Sequence, residues 1–410
     1  MGNTFLSVGA SEERGFRHIG LGYLRMGELE RRYINEVLDS NRLSAGRFTN
    51  AFEREFARAH SCKYAIFCSS GTAALHLGLA ALKEYYQWSD GDEVIVPSLT
   101  WISTSNIVFY NGMRPVFADV DPVYYNLDPN WIERVVSPRT RAIIPVHLFG
   151  LPCDMDPIIE IASKHHLKVM EDSAETMFAR YKGRSVGSFG EIGCFSTYMA
   201  HILVTGVGGF VVTNNDQLDV MVRSLMAHGR DSIYLTIDDD DDLGGKDHLR
   251  NIVERRFSFD RLGYNFRLTE MEAALGLAQM EAKNEIIQKR RANAAYLTER
   301  LSCFAEYLQL ATIPSHSDHV FMMYPIVIKK ELDREKLLFY LEERGIETRY
   351  MLPLLNQKIY RKIFGDIEDQ YPVARYIDRN GFYIGCHQGL TKEDLDYVVE
   401  QFADYIRDHV

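Results

Sequence analysis

Between residues 64 and 172, short apolar runs alternate with stretches of helical spacing, and this alternation restricts the fold more than any other feature. The runs fall at 64–67, 93–97, 116–119, 142–146 and 168–172; the helical stretches between them fall at 73–86, 103–110, 129–136 and 157–165. Strands joined through helices imply an α/β chain whose mostly parallel sheet is covered on both faces. In such sheets ligands sit outside the carboxyl ends of the strands.

Upstream, apolar residues recur at helical spacing from Leu24 to His60, with a loop at 41–46. Downstream of Thr269 a long helix is expected, with Met271, Ala274, Leu275, Ala278, Ile286 and Ile287 on one face. Strand-like runs at 322–328 and 347–350, with helices at 333–344 and 392–406, then suggest a smaller C-terminal α+β unit. The expected organisation is an N-terminal segment 1–28, a large domain 29–277 and a small domain 278–410. A chain of 410 residues has room for both domains.

The net charge of −11 leaves no basic surplus to offset phosphates, which argues against nucleic acid or an anionic membrane as partner. The six cysteines are scattered, form no C-x-x-C and lack the clustering of an iron–sulfur centre; they read as free thiols. The N-terminus has no basic-then-apolar signal pattern, and no apolar run is long enough to span a membrane, so the expectation is cytoplasmic. The five aspartates at 238–242 read as a solvated loop. No metal-ligand spacing is evident.

Three stretches carry candidate chemistry. Ser69-Ser70-Gly71-Thr72 lies between a strand and a helix, where backbone N–H groups make an anion site and Gly71 allows close approach; a purely structural turn has the same pattern. The run 168–172 ends in Glu171-Asp172, followed by Ser173-Ala174-Glu175. Residues 191–213 (EIGCFSTYMAHILVTGVGGFVVT) read as strand, functional loop and strand, with His201 in the loop and Gly206, Gly208 and Gly209 at the turn.

These motifs resemble the DegT/DnrJ/EryC1/StrS family of pyridoxal-phosphate sugar aminotransferases, and the resemblance runs from about Leu29 to Phe402. It also covers SAGRFTNAFEREFA, VPSLTW, VHLFGLPCDMD and RYKGRSVGSFGEIG. It implies the type I, aspartate-aminotransferase-like fold. It further implies that Ser70, Gly71, Thr72 and Ser196 hold the cofactor phosphate and that Trp101, otherwise readable as a core aromatic, stacks on the pyridine ring. Asp172 would keep the pyridine nitrogen protonated so that the ring can accept electrons. Asn265 and Arg267, in GYNFRLTE, would reach the phosphate and the substrate from a neighbouring subunit, implying a homodimer with shared sites; alone, they read as a loop before the long helix.

The family signature S-x-Y-x-x-K has its Schiff-base lysine where this chain has His201, and no lysine lies between Lys182 and Lys246. An imidazole forms no stable imine, so the cofactor would be held non-covalently, most naturally as pyridoxamine phosphate, with His201 as general base. The family's usual glutamine is Glu175 here. Both departures, and His387-Gln388 in GFYIGCHQ, resemble the GDP-4-keto-6-deoxy-D-mannose 3-dehydratase branch. That branch implies loss of the C3 hydroxyl from a nucleotide-linked 4-keto-6-deoxy sugar in deoxysugar biosynthesis, with an amine donor such as glutamate, and His387 near the substrate. Two alternatives stay open: a sugar aminotransferase working without a lysine, and a non-catalytic cofactor-binding regulator.

Overall fold

The computed structural model describes residues 17–231, 246–255 and 257–410; the aspartate run at 238–242 lies outside the described residues. Helices begin where side chains can satisfy the first free N–H groups. Ser70 Oγ accepts from Ala73 N (3.0 Å), Asp128 caps the helix that starts at Pro129, and capping boxes pair Thr269 with Glu272 and Thr391 with Asp394.

The chain starts with α1 (Glu28–Asp39) and α2 (Arg47–Ala59). It then runs through β1 (Tyr64–Cys68), α3 (Gly71–Tyr85), β2 (Glu93–Pro97), α4 (Ile102–Tyr110), β3 (Arg114–Ala118), α5 (Pro129–Val135), β4 (Thr140–Ile143), α6 (Met155–Lys164) and β5 (Lys168–Asp172). A hairpin of β6 (Arg180–Tyr181) and β7 (Arg184–Ser185) precedes β8 (Ile192–Ser196), β9 (Gly209–Thr213), α7 (Asp216–Met226) and α8 (Lys246–Arg255). The main sheet has seven strands in the order β1-β9-β8-β5-β4-β2-β3. Pairs from β3 through β8 are parallel, and β9 runs antiparallel to β8 and β1. The fold is therefore α/β with a mostly parallel mixed sheet. Helix α3 crosses the sheet, with Gly78 close to Met170, Ile192 and Cys194. Ile66, Leu77, Val94, Val96 and Ile144 are fully buried in this layer, each contributing about 1.5–3 kcal/mol.

The 32-residue helix α9 (Glu270–Leu301) leads into a second, four-stranded sheet. This part holds β10 (Leu308–Leu310), β11 (Tyr324–Ile328), α10 (Arg334–Glu343), β12 (Thr348–Tyr350), α11 (Lys358–Phe364), α12 (Pro372–Asn380), β13 (Gly381–Ile384) and α13 (Lys392–His409). Its strands pair antiparallel in the order β10-β11-β13-β12. The expected division after residue 277 falls inside α9, whose buried residues run from Glu270 to Leu301 without a break at that point. One apolar cluster joins both parts, from Phe52 and Phe210 to Met322 and Met351.

Candidate active site

A cavity of about 590 Å³ opens at the carboxyl ends of β1, β2, β5 and β8, and the second sheet closes its far side through Met322, Met323, Arg349 and Tyr383. Its floor is built by strand alternation. Successive side chains of β5 point to opposite faces, so Glu171 and Asp172 do different work. Glu171 is fully buried away from the cavity and accepts from Gly187 N (2.7 Å), Phe189 N (2.6 Å) and Gly190 N (2.8 Å). His147 Nδ1 accepts from Cys153 N (2.9 Å), so Nε2 carries the proton and donates to Glu171 (3.1 Å).

Asp172 faces the cavity. Thr104 Oγ1 donates to its Oδ2 (2.7 Å) and Ala174 N to its Oδ1 (3.1 Å), while burial raises its proton affinity. Glu175 is half-buried on the same wall and accepts from Phe149 N (2.9 Å). Burial raises its carboxyl to about 7. Trp101, at the start of α4, lines the mouth and is 60% exposed.

At the other end, Ser70, Gly71 and Thr72 open α3 directly against Ser196 at the end of β8. A Cβ on Gly71 would lie 2.6 Å from Ser196 Cβ, so only glycine leaves this cradle open. Thr72 Oγ1 and Ser103 Oγ are hydrogen-bonded at 2.7 Å. Hydroxyls around a helix N-terminus are a phosphate-type anion site.

His201 rides on the loop between β8 and β9. The loop's neck is closed by Thr197 N donating to Gly208 O and Thr205 N to Thr197 O (both 2.9 Å), with Gly206 turning at φ +86°. From α9, Gln279 Oε1 accepts from Val204 N (3.0 Å) and Arg290 Nη2 donates to His201 O (3.3 Å). The imidazole lines the cavity, and its Nδ1 is a buried atom with no hydrogen-bond partner. Burial first, and Arg290 second, lower its proton affinity to about 4, so the ring is neutral at physiological pH.

These features fit a pyridoxal-type group. The cradle suits a phosphate, Asp172 suits a ring nitrogen, and His201 stands on the wall of the same cavity. Among the described residues, the cavity lining contains no lysine.

The structure brings His201, Asp172, Glu175, Ser70, Gly71, Thr72, Trp101 and Ser196 together. It does not bring Asn265, Arg267 or His387 to the cavity lining of this chain. Asn265 and Arg267 are exposed and bonded to each other, Arg267 Nε donating to Asn265 Oδ1 (2.9 Å). His387 is buried, stacked on Tyr23 at 5.5 Å, and accepts from Gly389 N at Nδ1 (3.2 Å). Sequence reading missed Thr104, which orients Asp172, and the wall residues Glu347, Arg349 and Tyr383. Tyr383 lies in a strand of only four residues, too short to show its alternation, and Thr104 carries no signal beyond its place in α4.

A sequence model described as the DegT/DnrJ/EryC1/StrS aminotransferase family matches residues 25–403. The chain is 36% identical over 379 residues to a GDP-perosamine synthase of Caulobacter vibrioides, covering 92% of this chain and 95% of that protein. It is similar in structure to E coli GDP-4-keto-6-deoxy-D-mannose-3-dehydratase with bound hydrated PLP, at TM-score 0.84 and 29% identity over 94% of this chain and 99% of that one. An aminotransferase from Psychrobacter cryohalolentis superposes with TM-score 0.83 and 30% identity over 96% of this chain and 99% of that one. The match across nearly the whole chain and the site built for this cofactor agree: the chain belongs to the DegT/DnrJ/EryC1/StrS family of pyridoxal-phosphate-dependent sugar enzymes.

Proposed function

We propose that this chain is a 3-dehydratase, removing the C3 hydroxyl from a nucleotide-linked 4-keto-6-deoxy sugar in deoxysugar or O-antigen biosynthesis. The observation that carries the reading is His201, a neutral imidazole on the wall of a phosphate-and-carboxylate cavity whose described lining has no lysine. When bound in its pyridoxamine form, the cofactor supplies an amine for the C4 ketone and a conjugated electron sink. Ser70, Gly71, Thr72 and Ser196 hold its phosphate, Trp101 covers the ring, and Asp172 holds a proton on the ring nitrogen. Glu175, with its carboxyl near neutrality, donates or accepts a hydrogen bond at the ring edge. His201, whose neutral imidazole lines the cavity, would accept the proton that must leave before the C3 hydroxyl can depart. The products of such a reaction would be the 3-deoxy-4-keto sugar and ammonia, with an amine donor such as glutamate as the source of the nitrogen.

A homodimer is part of this reading. Asn265 and Arg267 lie outside this chain's cavity, and Phe257 and Leu262 beside them are 86% and 96% exposed. A second copy covering this surface would bury them and bring Asn265 and Arg267 to its own cavity. Among the described residues no helix is long and apolar enough to cross a membrane, in keeping with a cytoplasmic enzyme.

The aminotransferase reading is favoured by the match to GDP-perosamine synthase and to the Psychrobacter aminotransferase. One assay separates the two. Supplied with a GDP-linked 4-keto-6-deoxy sugar, the cofactor and glutamate, a dehydratase releases ammonia and a 3-deoxy product. A stable 4-amino sugar instead of ammonia would replace this reading with the aminotransferase one.

A further inference from the structure

Arg290 is among the largest fully buried side chains of the protein. Its hydrogen-bond acceptors are all backbone carbonyls: Nη1 donates to Phe321 O (3.2 Å) and Met322 O (2.8 Å), and Nη2 to His201 O (3.3 Å). Its Nε has no partner. No carboxylate is among these contacts, although a buried cation without a counter-charge is costly to fold around. Other arginines of the chain show the ordinary solution: Arg223, largely buried, meets Glu53 and Asp219.

The position of Arg290 explains why it is kept. It sits behind the loop at the residue that carries the catalytic imidazole, and it ties that residue to Met322, itself on the cavity wall. We propose that Arg290 is the positioning residue for His201, fixing the loop on which the imidazole rides. This rests on the reading of His201 as the base. The other charged or titratable groups lining the cavity with His201 are Tyr198 from its own loop, Asp172 and Glu175 after β5, Glu347 and Arg349 of the second sheet, and Tyr383 of β13. Among the described residues, Arg290 is the cation that bonds to the His201 backbone, and its charge also disfavours the protonated form of nearby His387. A positive charge a few ångströms from an imidazole in a poorly solvated site favours the free base.

The first arm of the test needs no turnover. Cofactor-free protein is labelled with [13Cε1]histidine, and the His201 resonance is assigned by its loss in His201→Gln. In the wild type its midpoint is expected at about 4. Arg290→Gln and Arg290→Met remove the charge, and the midpoint is expected to move up by on the order of one pH unit. Arg290→Lys keeps the charge and the low midpoint but loses the fork to the carbonyls, so its kcat is expected to fall several-fold. The His60 resonance, with no contact to Arg290, stays fixed in all variants. An unchanged His201 midpoint in a folded neutral variant overturns the inference. If neither neutral variant folds, wild-type kcat in Arg290→Lys overturns it. Absence of ammonia release by the wild type would sink the dehydration reading alone, because the titration is read without substrate.

Discussion

Two buried histidines, one under the sheet and one at the cavity, show what separates a structural imidazole from a chemical one. His60 and His201 are both neutral rings with proton affinity lowered to about 4, with burial as the first cause in each. Their proton affinities do not distinguish them; their hydrogen bonds do. His60 uses both nitrogens, Nδ1 toward Phe56 O (3.0 Å) and Nε2 accepting from Phe178 N (3.2 Å), and lies between the rings of Phe56, Phe178 and Phe195. His201 leaves its buried Nδ1 without a hydrogen bond, and its ring lines a cavity. A satisfied imidazole is packing, whereas an unsatisfied one on the wall of a site is held in readiness for a reaction.

Exchanging the two roles by mutation is the sharpest way to break this contrast. His201→Asn should lower ammonia release by about 10²–10⁴-fold while leaving the unfolding midpoint near that of the wild type. Cofactor retention on a desalting column should persist; unchanged turnover would take His201 out of the chemistry. His60→Leu should do the reverse. It strands the Phe178 N–H and should cost about 2 kcal/mol in denaturant unfolding, with turnover per folded molecule intact.

A smaller effect is expected at the cradle. Gly71→Ala places a Cβ against Ser196, and cofactor affinity measured by fluorescence titration should fall about tenfold, or about 1.4 kcal/mol. Wild-type affinity in that variant would move the phosphate elsewhere. A further effect is expected in acid. The folded His60 binds a proton only near 4, whereas an unfolded histidine does so near 6.5. Its neutral form therefore contributes stability above 6.5 that is lost as pH falls toward 4. The stability gap between wild type and His60→Leu should narrow across that window, and a gap independent of pH would show that His60 is not buried as a free base.

The main sheet was largely legible because its strands are continuous apolar runs. The expected runs at 93–97 and 168–172 coincide with β2 and β5, and the helical stretches match α3 through α6 to within two residues. The second sheet was harder to read. β13 is a four-residue strand, Gly381–Ile384, that begins on glycine, too short to show its alternation clearly, and α7, α11 and α12 went unread. Ser70, Gly71 and Thr72 lie on one recognisable helix start, which the family resemblance singled out over a structural turn, and Ser196 was named through that resemblance alone. Thr104 and Arg290 could not be named, because their importance depends on atoms distant in sequence, Asp172 and His201, reached only after folding. Asn265, Arg267 and His387 show the converse: a resemblance assigned them to the site, while one chain by itself keeps them off its cavity lining.

The direct test of the account is whether the chain ever bonds to its cofactor. Protein saturated with pyridoxal phosphate is treated with borohydride, denatured and weighed intact by mass spectrometry. The account predicts the unmodified chain mass and free cofactor in the supernatant; a chain heavier by one reduced cofactor would contradict it.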